Sequence, residues 1–426
     1  MSEEFAFIWE VYGLNTDPFS TNPILVKGGL VPAQSFFGRL DEMKRFQKIL
    51  SSSNGSRTLV FGRQGVGKTT FVNVARMKAL ERKFFTPFQE IKADVEWNIE
   101  DFIVNTISAI YSSLVKIKNP SKKIQEIIDK LMPVFDSYEK TDKSLSFSTS
   151  IVGAGYGKTR VVNKPVINVN FLTNLFEFIV ESLMSIGYKE IVIHYNNLDN
   201  FDENEEKVRK LFNSIRDFIQ IPHVHFVFVG SPTTAEIINS IPRVSNVFTD
   251  TPIHLESLSL DDVKKVIQAR VKLSAIKDIK YFNPVLDETI ETLYNVHEGN
   301  IRAILNSLST AVREITEEKP VLLSNKTLKI ILYEVAQKRF AEKITPTMKE
   351  VLMEMLKQKE STNKTITDSL GKKPQNTSLY FNKLKEIQCI YLSRVDGREK
   401  YYSVAEWVKW LLFDPRKENQ TLITNY

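Results

Sequence analysis

A chain of 426 residues with 42% hydrophobic and 25% charged residues has material for two to four packed units, and its composition excludes a disordered or low-complexity polymer. The single cysteine, Cys389, excludes internal disulfides and a thiolate-rich zinc site in a monomer, and reads as a small apolar packing residue. A net charge of +6 permits an acidic partner; no apolar run approaches the ~18 residues of a membrane span and the opening MSEEFAFIWEVYG is acidic, so no membrane contact and a cytoplasmic location are expected.

In chain order, the first strong signal is TLVFGRQGVGKTTFVNVARMKAL (58–80). An apolar strand runs into Gly62, Arg63, Gln64, Gly65, Val66, Gly67, Lys68, Thr69 and Thr70, and apolar residues at helical spacing follow. The spacing Gly62-x4-Gly67-Lys68-Thr69 is that of a phosphate-binding P-loop. Glycines let backbone amides converge on phosphates at a helix N-terminus, Lys68 reaches the β and γ phosphates, and the Thr69 hydroxyl coordinates magnesium. A turn of purely structural glycines would not require the Lys–Thr pair.

Further strands are expected at FTPFQEIKAD (85–94), IVIHYN (191–196), HVHFVFVG (223–230) and DTPIHLES (250–257), separated by helical or mixed sequence. That alternation predicts an α/β fold, a parallel P-loop sheet with flanking helices on both faces and ligands at the strands' C-terminal edge. VGAGYGKTR (152–160) fails as a second P-loop, because only three residues separate Gly153 from Gly157 and Pro165 follows in an alternating run. Together with SLSFSTSIVG (144–153) it reads as a β-hairpin or loop, inside an insertion of about 118–165 between the second and third strands. His223 and His225 would share one strand face, where packing outweighs metal binding without a third ligand.

After residue 258 the pattern turns helical: SLDDVKKVIQARVKL with Ser259 as N-cap, LDETIETLYNVHEG ending at Gly299, NIRAILNSLSTAVREIT and NKTLKIILYEVAQKRF. An all-helical lid is therefore expected over 258–340. Residues 341–413 then read as a winged helix. TPTMKEVLMEMLKQ places Met348, Val351, Leu352 and Met355 at helical spacing, NKTITDSLG ends at Gly371, and PQNTSLYFNKLKEIQC starts with a proline. IYLSRVDGREKYYSV forms a hairpin around Asp396-Gly397.

In such a unit the third helix can present Lys373, Gln375, Asn376, Thr377 and Ser378, then Tyr380 and Lys383, to the major groove of double-stranded DNA. Arg394, Arg398 and Lys400 on the wing suit phosphates or the minor groove. Residues 341–426 hold 15 Lys and Arg against 11 Asp and Glu, four of the chain's six net positive charges. Winged helices also dock proteins, so a protein partner stays open. The tail 414–426 is too polar to add a core.

The ordered set YGLNTDPFS (12–20), FFGRLDEMKRFQKIL (36–50), the P-loop, PRVSNVF (242–248) and EGNIRAIL (298–305) resembles the AAA+ ATPases, and within them the archaeal origin-recognition initiators and transposition-regulator ATPases. The resemblance implies an AAA+/RecA-like core over 1–257, ATP or ADP with Mg2+ as cofactor, and self-association or assembly with other protein subunits. It implies that the 36–50 segment borders the adenine, that Arg243 acts as an arginine finger toward a neighbour, and that Arg302 senses phosphate in cis rather than being a plain surface charge. Ser231 either positions water or caps the strand end.

Related proteins carry an Asp–Glu pair where this chain has Asn196 and Asn197. An amide neither anchors a hydrated divalent cation well nor takes a proton, so hydrolysis is expected to be weak or absent while binding persists. Asp199 either reaches the metal site or caps a helix; Asp202 and Glu203 are more distant candidates. Two functions follow: an ATP-binding, DNA-engaging protein governed by nucleotide state, or a signalling or scaffolding switch whose winged helix binds protein.

Overall fold

A computed structural model describes residues 7–52, 54–139, 168–248, 251–340, 342–396, 399–412 and 415. The segment 152–160 and the tail from 416 onward lie outside them. Five strands build the main sheet: β1 (Ser56–Phe61), β2 (Ile91–Lys92), β3 (Ile191–Asn196), β4 (Val224–Gly230) and β5 (Ile253–His254). Their order is β2-β3-β4-β1-β5, and every pairing is parallel.

Strand alternation divides the core. Leu59, Ile191, Ile193, Tyr195, Phe226 and Phe228 point into one apolar cluster with the helices Ile99–Leu114 and Val169–Ser185. Val60, Val192, Val227 and Val229 point into another, shared with the helices Leu40–Ser52 and Lys68–Glu81. Because both faces are covered, the central strands β3 and β4 are buried along almost their whole length.

Two strands are shorter than expected. In 85–94 only Ile91–Lys92 is strand, with an isolated bridge from Phe85 to Ile191. Pro87 lacks an amide for the ladder, and the buried Arg76 guanidinium takes the carbonyls of Pro87 and Gln89. In 250–257 the strand is Ile253–His254, starting just after Pro252. The histidine pair also departs from one strand face. β4 begins at Val224, and His223 precedes it in a left-handed backbone (φ 64°). His225 is buried between Ser56 Oγ (2.8 Å) and the Glu190 carboxylate.

The helices Leu260–Leu273, Asp287–Val296, Ile301–Ile315 and Asn325–Phe340 follow the sheet. Ser259 caps the first, its Oγ accepting from Asp262 N–H at 3.1 Å. The helices Pro346–Gln358, Asn363–Leu370 and Pro374–Glu386 precede an antiparallel hairpin of β6 (Ile390–Asp396) and β7 (Glu399–Val404) and a final helix, Glu406–Leu411. Three helices and a hairpin form the winged helix; Gly397 and Arg398 of its turn lie outside the described residues. Met348, Val351, Leu352 and Met355 are buried as the spacing requires. One apolar cluster runs through Tyr12, Leu14 and Phe19, the lid-side helices and the winged helix. Cys389 lies in it, and burial pushes its thiol up to about 11, consistent with an inert packing residue. Among the described residues, no helix is long and apolar enough to cross a membrane.

Candidate functional site

β1 ends at Phe61, and the chain turns through the glycine loop into the helix Lys68–Glu81. Gly65 and Gly67 adopt φ of 85° and 95°, left-handed values that glycine takes without strain. A Cβ at Gly67 would meet nothing within 4 Å, so the concave side of the loop is open. Lys68 is buried at 8% exposure, and its ammonium donates to the Gly62 and Arg63 carbonyls at 2.8 and 3.2 Å and to Asp199 Oδ2 at 3.2 Å. Thr69 Oγ1 donates to Asn196 Oδ1 at 3.3 Å.

Asp199 sits in the short turn Leu198–Phe201 after β3, not at the start of the helix Glu205–Ile215, whose N-cap is Asn204. The helix-cap reading of Asp199 is thereby set aside. Its second oxygen, Oδ1, is buried with no hydrogen-bond partner. A free carboxylate oxygen near a hydroxyl and an amide oxygen is a fitting donor set for a hard cation or its water. Asn197 takes a left-handed backbone (φ 67°) and lines the same cleft.

That cleft has a volume of about 360 Å³. Its lining includes the glycine loop with Lys68, Thr69 and Thr70, and the apolar side chains Ile24, Phe36, Phe37, Leu258 and Val266. Apolar walls suit a flat base, and the glycine loop suits phosphates. Arg302, exposed in the first turn of Ile301–Ile315, also lines the cleft, and its backbone N–H donates to Gly65 O at 3.3 Å. Asn300 caps this helix and donates from Nδ2 to Gln64 O at 3.0 Å. A Cβ on Gly65 would overlap that amide.

Ser231 is a helix cap. Thr234 N–H donates to its oxygen at 3.0 Å, while the Ser231 hydroxyl donates to Asp202 Oδ1 at 2.5 Å. Burial raises the Asp202 carboxyl above the ordinary 3.8 despite those hydroxyl contacts. Arg243 is exposed on the short helix Pro242–Ser245 and does not line the cleft of its own chain.

Four charged cleft residues escaped the sequence reading. Arg39 donates to Val66 O at 3.3 Å and to Glu256 O, tying the loop to the segment after β5. Glu90 and Asp199 are the acids that line the cleft among the described residues, and Lys92 is paired with Asn196 across β2 and β3. Arg270 is 7% exposed and donates to Ser20 O at 2.7 Å; burial lowers its pKa to about 10. Only Arg39 had a local cue, inside the 36–50 motif.

On the winged helix, Lys373, Gln375, Asn376 and Lys383 are exposed along one helix, and Lys400 is exposed on β7. Thr377 is a correction: it is fully buried, its hydroxyl donating to Lys373 O at 3.4 Å, because its position faces the domain core and cannot reach a groove. Ser378 accepts from Asn363, Tyr380 is partly buried against the core, and Arg394 pairs with Glu360 at 2.9 Å while stacking on Tyr401.

The sheet order, glycine loop, helical cover and hairpin unit define a P-loop α/β fold with a C-terminal winged helix. Solved structures with similar architecture include the Aeropyrum pernix ORC1 protein in complex with DNA, at 13% identity and TM-score 0.45 over 94% of this chain and 97% of that one. They also include the ORC2 protein of the same organism in ADPNP–ADP complexes (12%, TM-score 0.46, covering 92% and 95%) and Cdc6p from Pyrobaculum aerophilum (10%, TM-score 0.42, covering 93% and 98%). At such identities and TM-scores no residue role is carried across. No family model and no curated protein matches the chain.

Proposed function

We propose that the chain binds ATP or ADP with Mg2+ in this cleft and engages double-stranded DNA through the winged helix, with nucleotide state setting its conformation or assembly. The observation that carries this is the convergence at one helix N-terminus of the Lys68 ammonium, the Thr69 hydroxyl, open space at Gly67 and the unpartnered Asp199 oxygen. Lys68 leaves its loop carbonyls for the β and γ phosphates, the loop amides hold the phosphate oxygens, and the apolar walls hold the base. Thr69, with Asn196 and Asp199 facing it, would hold Mg2+, which spreads phosphate charge when bound. Arg302 meets the terminal phosphate from the lid side, and Arg243, exposed and away from its own cleft, serves a neighbouring copy.

Turnover in this reading is slow. Asn196 and Asn197 supply no base for water, and Asp199 is held by Lys68. Titration calorimetry with ATPγS tests the binding: a saturable site with Mg2+, weakened by Lys68→Ala about a hundredfold, the upper range for a charged hydrogen bond, is expected. Heat indistinguishable from dilution refutes it.

A second reading, a nucleotide switch whose winged helix docks protein, draws on the burial of Thr377 and the pairing of Arg394 with Glu360, which thin the DNA-facing set. DNA affinity that does not fall with added salt favours this alternative.

A further inference from the structure

The loop that touches the P-loop from the lid is clamped from its other side by the winged helix. His297 is 2% exposed at the end of the helix Asp287–Val296. Its Nδ1–H donates to Glu406 Oε2 at 2.8 Å, Nε2 lies 2.9 Å from Ser307 Oγ, and its ring meets Trp410 edge-on at 5.9 Å. Lys409 pairs with Glu406 at 3.2 Å and donates to Val296 O at 3.2 Å, so the last helix of the winged helix holds this turn through two side chains.

From His297 the chain has little freedom before it reaches the nucleotide loop. Asn300 N–H donates to His297 O at 2.9 Å, and Ser257 Oγ donates to Glu298 O at 2.9 Å. Glu298 and Gly299 are both left-handed (φ 51° and 73°), and a Cβ on Gly299 would press on Ser257. Glu298 also pairs with Arg63 at 3.6 Å. Three residues after His297, Asn300 grips Gln64 O, and two further on Arg302 faces the cleft. Tyr391 of β6 lies within the field of Arg63, Glu298 and Glu406.

We propose that the His297–Glu406 hydrogen bond is the joint through which the phosphate end of the cleft and the winged helix sense one another, with both residues positioning Asn300 and Arg302 rather than touching nucleotide. This rests on the cleft being a nucleotide site. A terminal phosphate that draws Arg302 must move or stiffen a turn whose other end, His297, is held by Glu406, and by reciprocity anything that shifts the last helix changes how well the cleft separates ATP from ADP.

The test measures dissociation constants for ATPγS and ADP in the full chain, in Glu406→Ala and in Glu406→Gln, which keeps an acceptor for the His297 N–H. The ratio of the two constants is expected to fall on the order of fivefold or more in Glu406→Ala and to return toward wild type in Glu406→Gln. An unchanged ratio in Glu406→Ala overturns the joint. In the unaltered protein, amide exchange provides a second measurement: ATPγS slows exchange at Glu298–Arg302 and at Glu406–Leu411 together. Protection of the first segment alone overturns the joint even if the alanine variant fails to fold. Absence of any nucleotide binding by the wild type overturns the parent reading and the joint with it, and is told apart by the calorimetry itself.

Discussion

At the helix start in the cleft, Lys68, Thr69 and the backbone around Gly65 and Gly67 present donors and a positive helix terminus; at the adjoining end of β3, Asn196 and Asn197 present neutral amides. The same 360 Å³ cleft thus joins the proposed phosphate cradle to a strand end that carries asparagines where acids were expected. The contrast separates two properties usually found together. Holding a triphosphate needs amides, a cation and a hydroxyl; cleaving it also needs a charge to fix the metal and an acceptor to order water.

Putting the acids back is the strongest way to break the contrast. In Asn196→Asp combined with Asn197→Glu, phosphate release is expected to rise on the order of a hundredfold, the scale of one preorganised polar group. A coupled phosphate assay reads it, and an unchanged rate means that the amides are not what limits turnover. Asp199→Asn sharpens the same point from the other side. Losing the carboxylate that faces both Lys68 and the metal position should weaken the Mg2+ dependence of ATPγS binding about tenfold, the scale of one charged hydrogen bond. Equal Mg2+ dependence in the two proteins removes Asp199 from the site.

A smaller effect concerns the winged-helix end of the molecule. Burial pushes the Glu406 carboxyl up, but its hydrogen bond from His297 and its pairing with Lys409 outweigh that and leave it below the ordinary 4.5. The folded state therefore favours the ionised form, so this contribution is present above pH 4.5 and is lost as the pH falls through the depressed value. Acid titration should expose Trp410, now fully buried, and shift its fluorescence to the red with Trp9, Trp97 and Trp407 replaced by Phe. A titration that is identical in Glu406→Gln contradicts the assignment. Smallest is the salt response of DNA binding. Lys373→Ala should lower the slope of log affinity against log salt by about one while changing affinity similarly for different DNA sequences. An unaltered slope removes Lys373 from the phosphate contacts.

The walls of the cleft also differed in legibility. Gly62 to Thr70 is contiguous, so strand, loop and helix declare the cradle within nine positions of sequence. The asparagines at the end of β3 were readable too, because an apolar run fixed where that strand stops. The other walls come from distant segments. Asn300 meets Gln64 across 236 positions, and Arg270 meets Ser20 across 250; no local pattern marks either contact. Glu90 and Lys92 were hidden inside an overlong strand, since the carbonyls claimed by Arg76 leave no trace in the order of residues 85–94. Thr377 fitted a polar helix start, and only packing showed that it turns inward. Asp199 fitted a helix cap better than a metal position, until the turn after β3 carried it to Lys68.

The most direct test of the separation between holding and cleaving is the chemical identity of the nucleotide recovered after the purified protein has been incubated with labelled ATP and Mg2+ and freed of unbound nucleotide. The account predicts intact ATP at close to one equivalent per chain. Recovery of ADP with release of stoichiometric or greater phosphate, or recovery of no nucleotide, would contradict it.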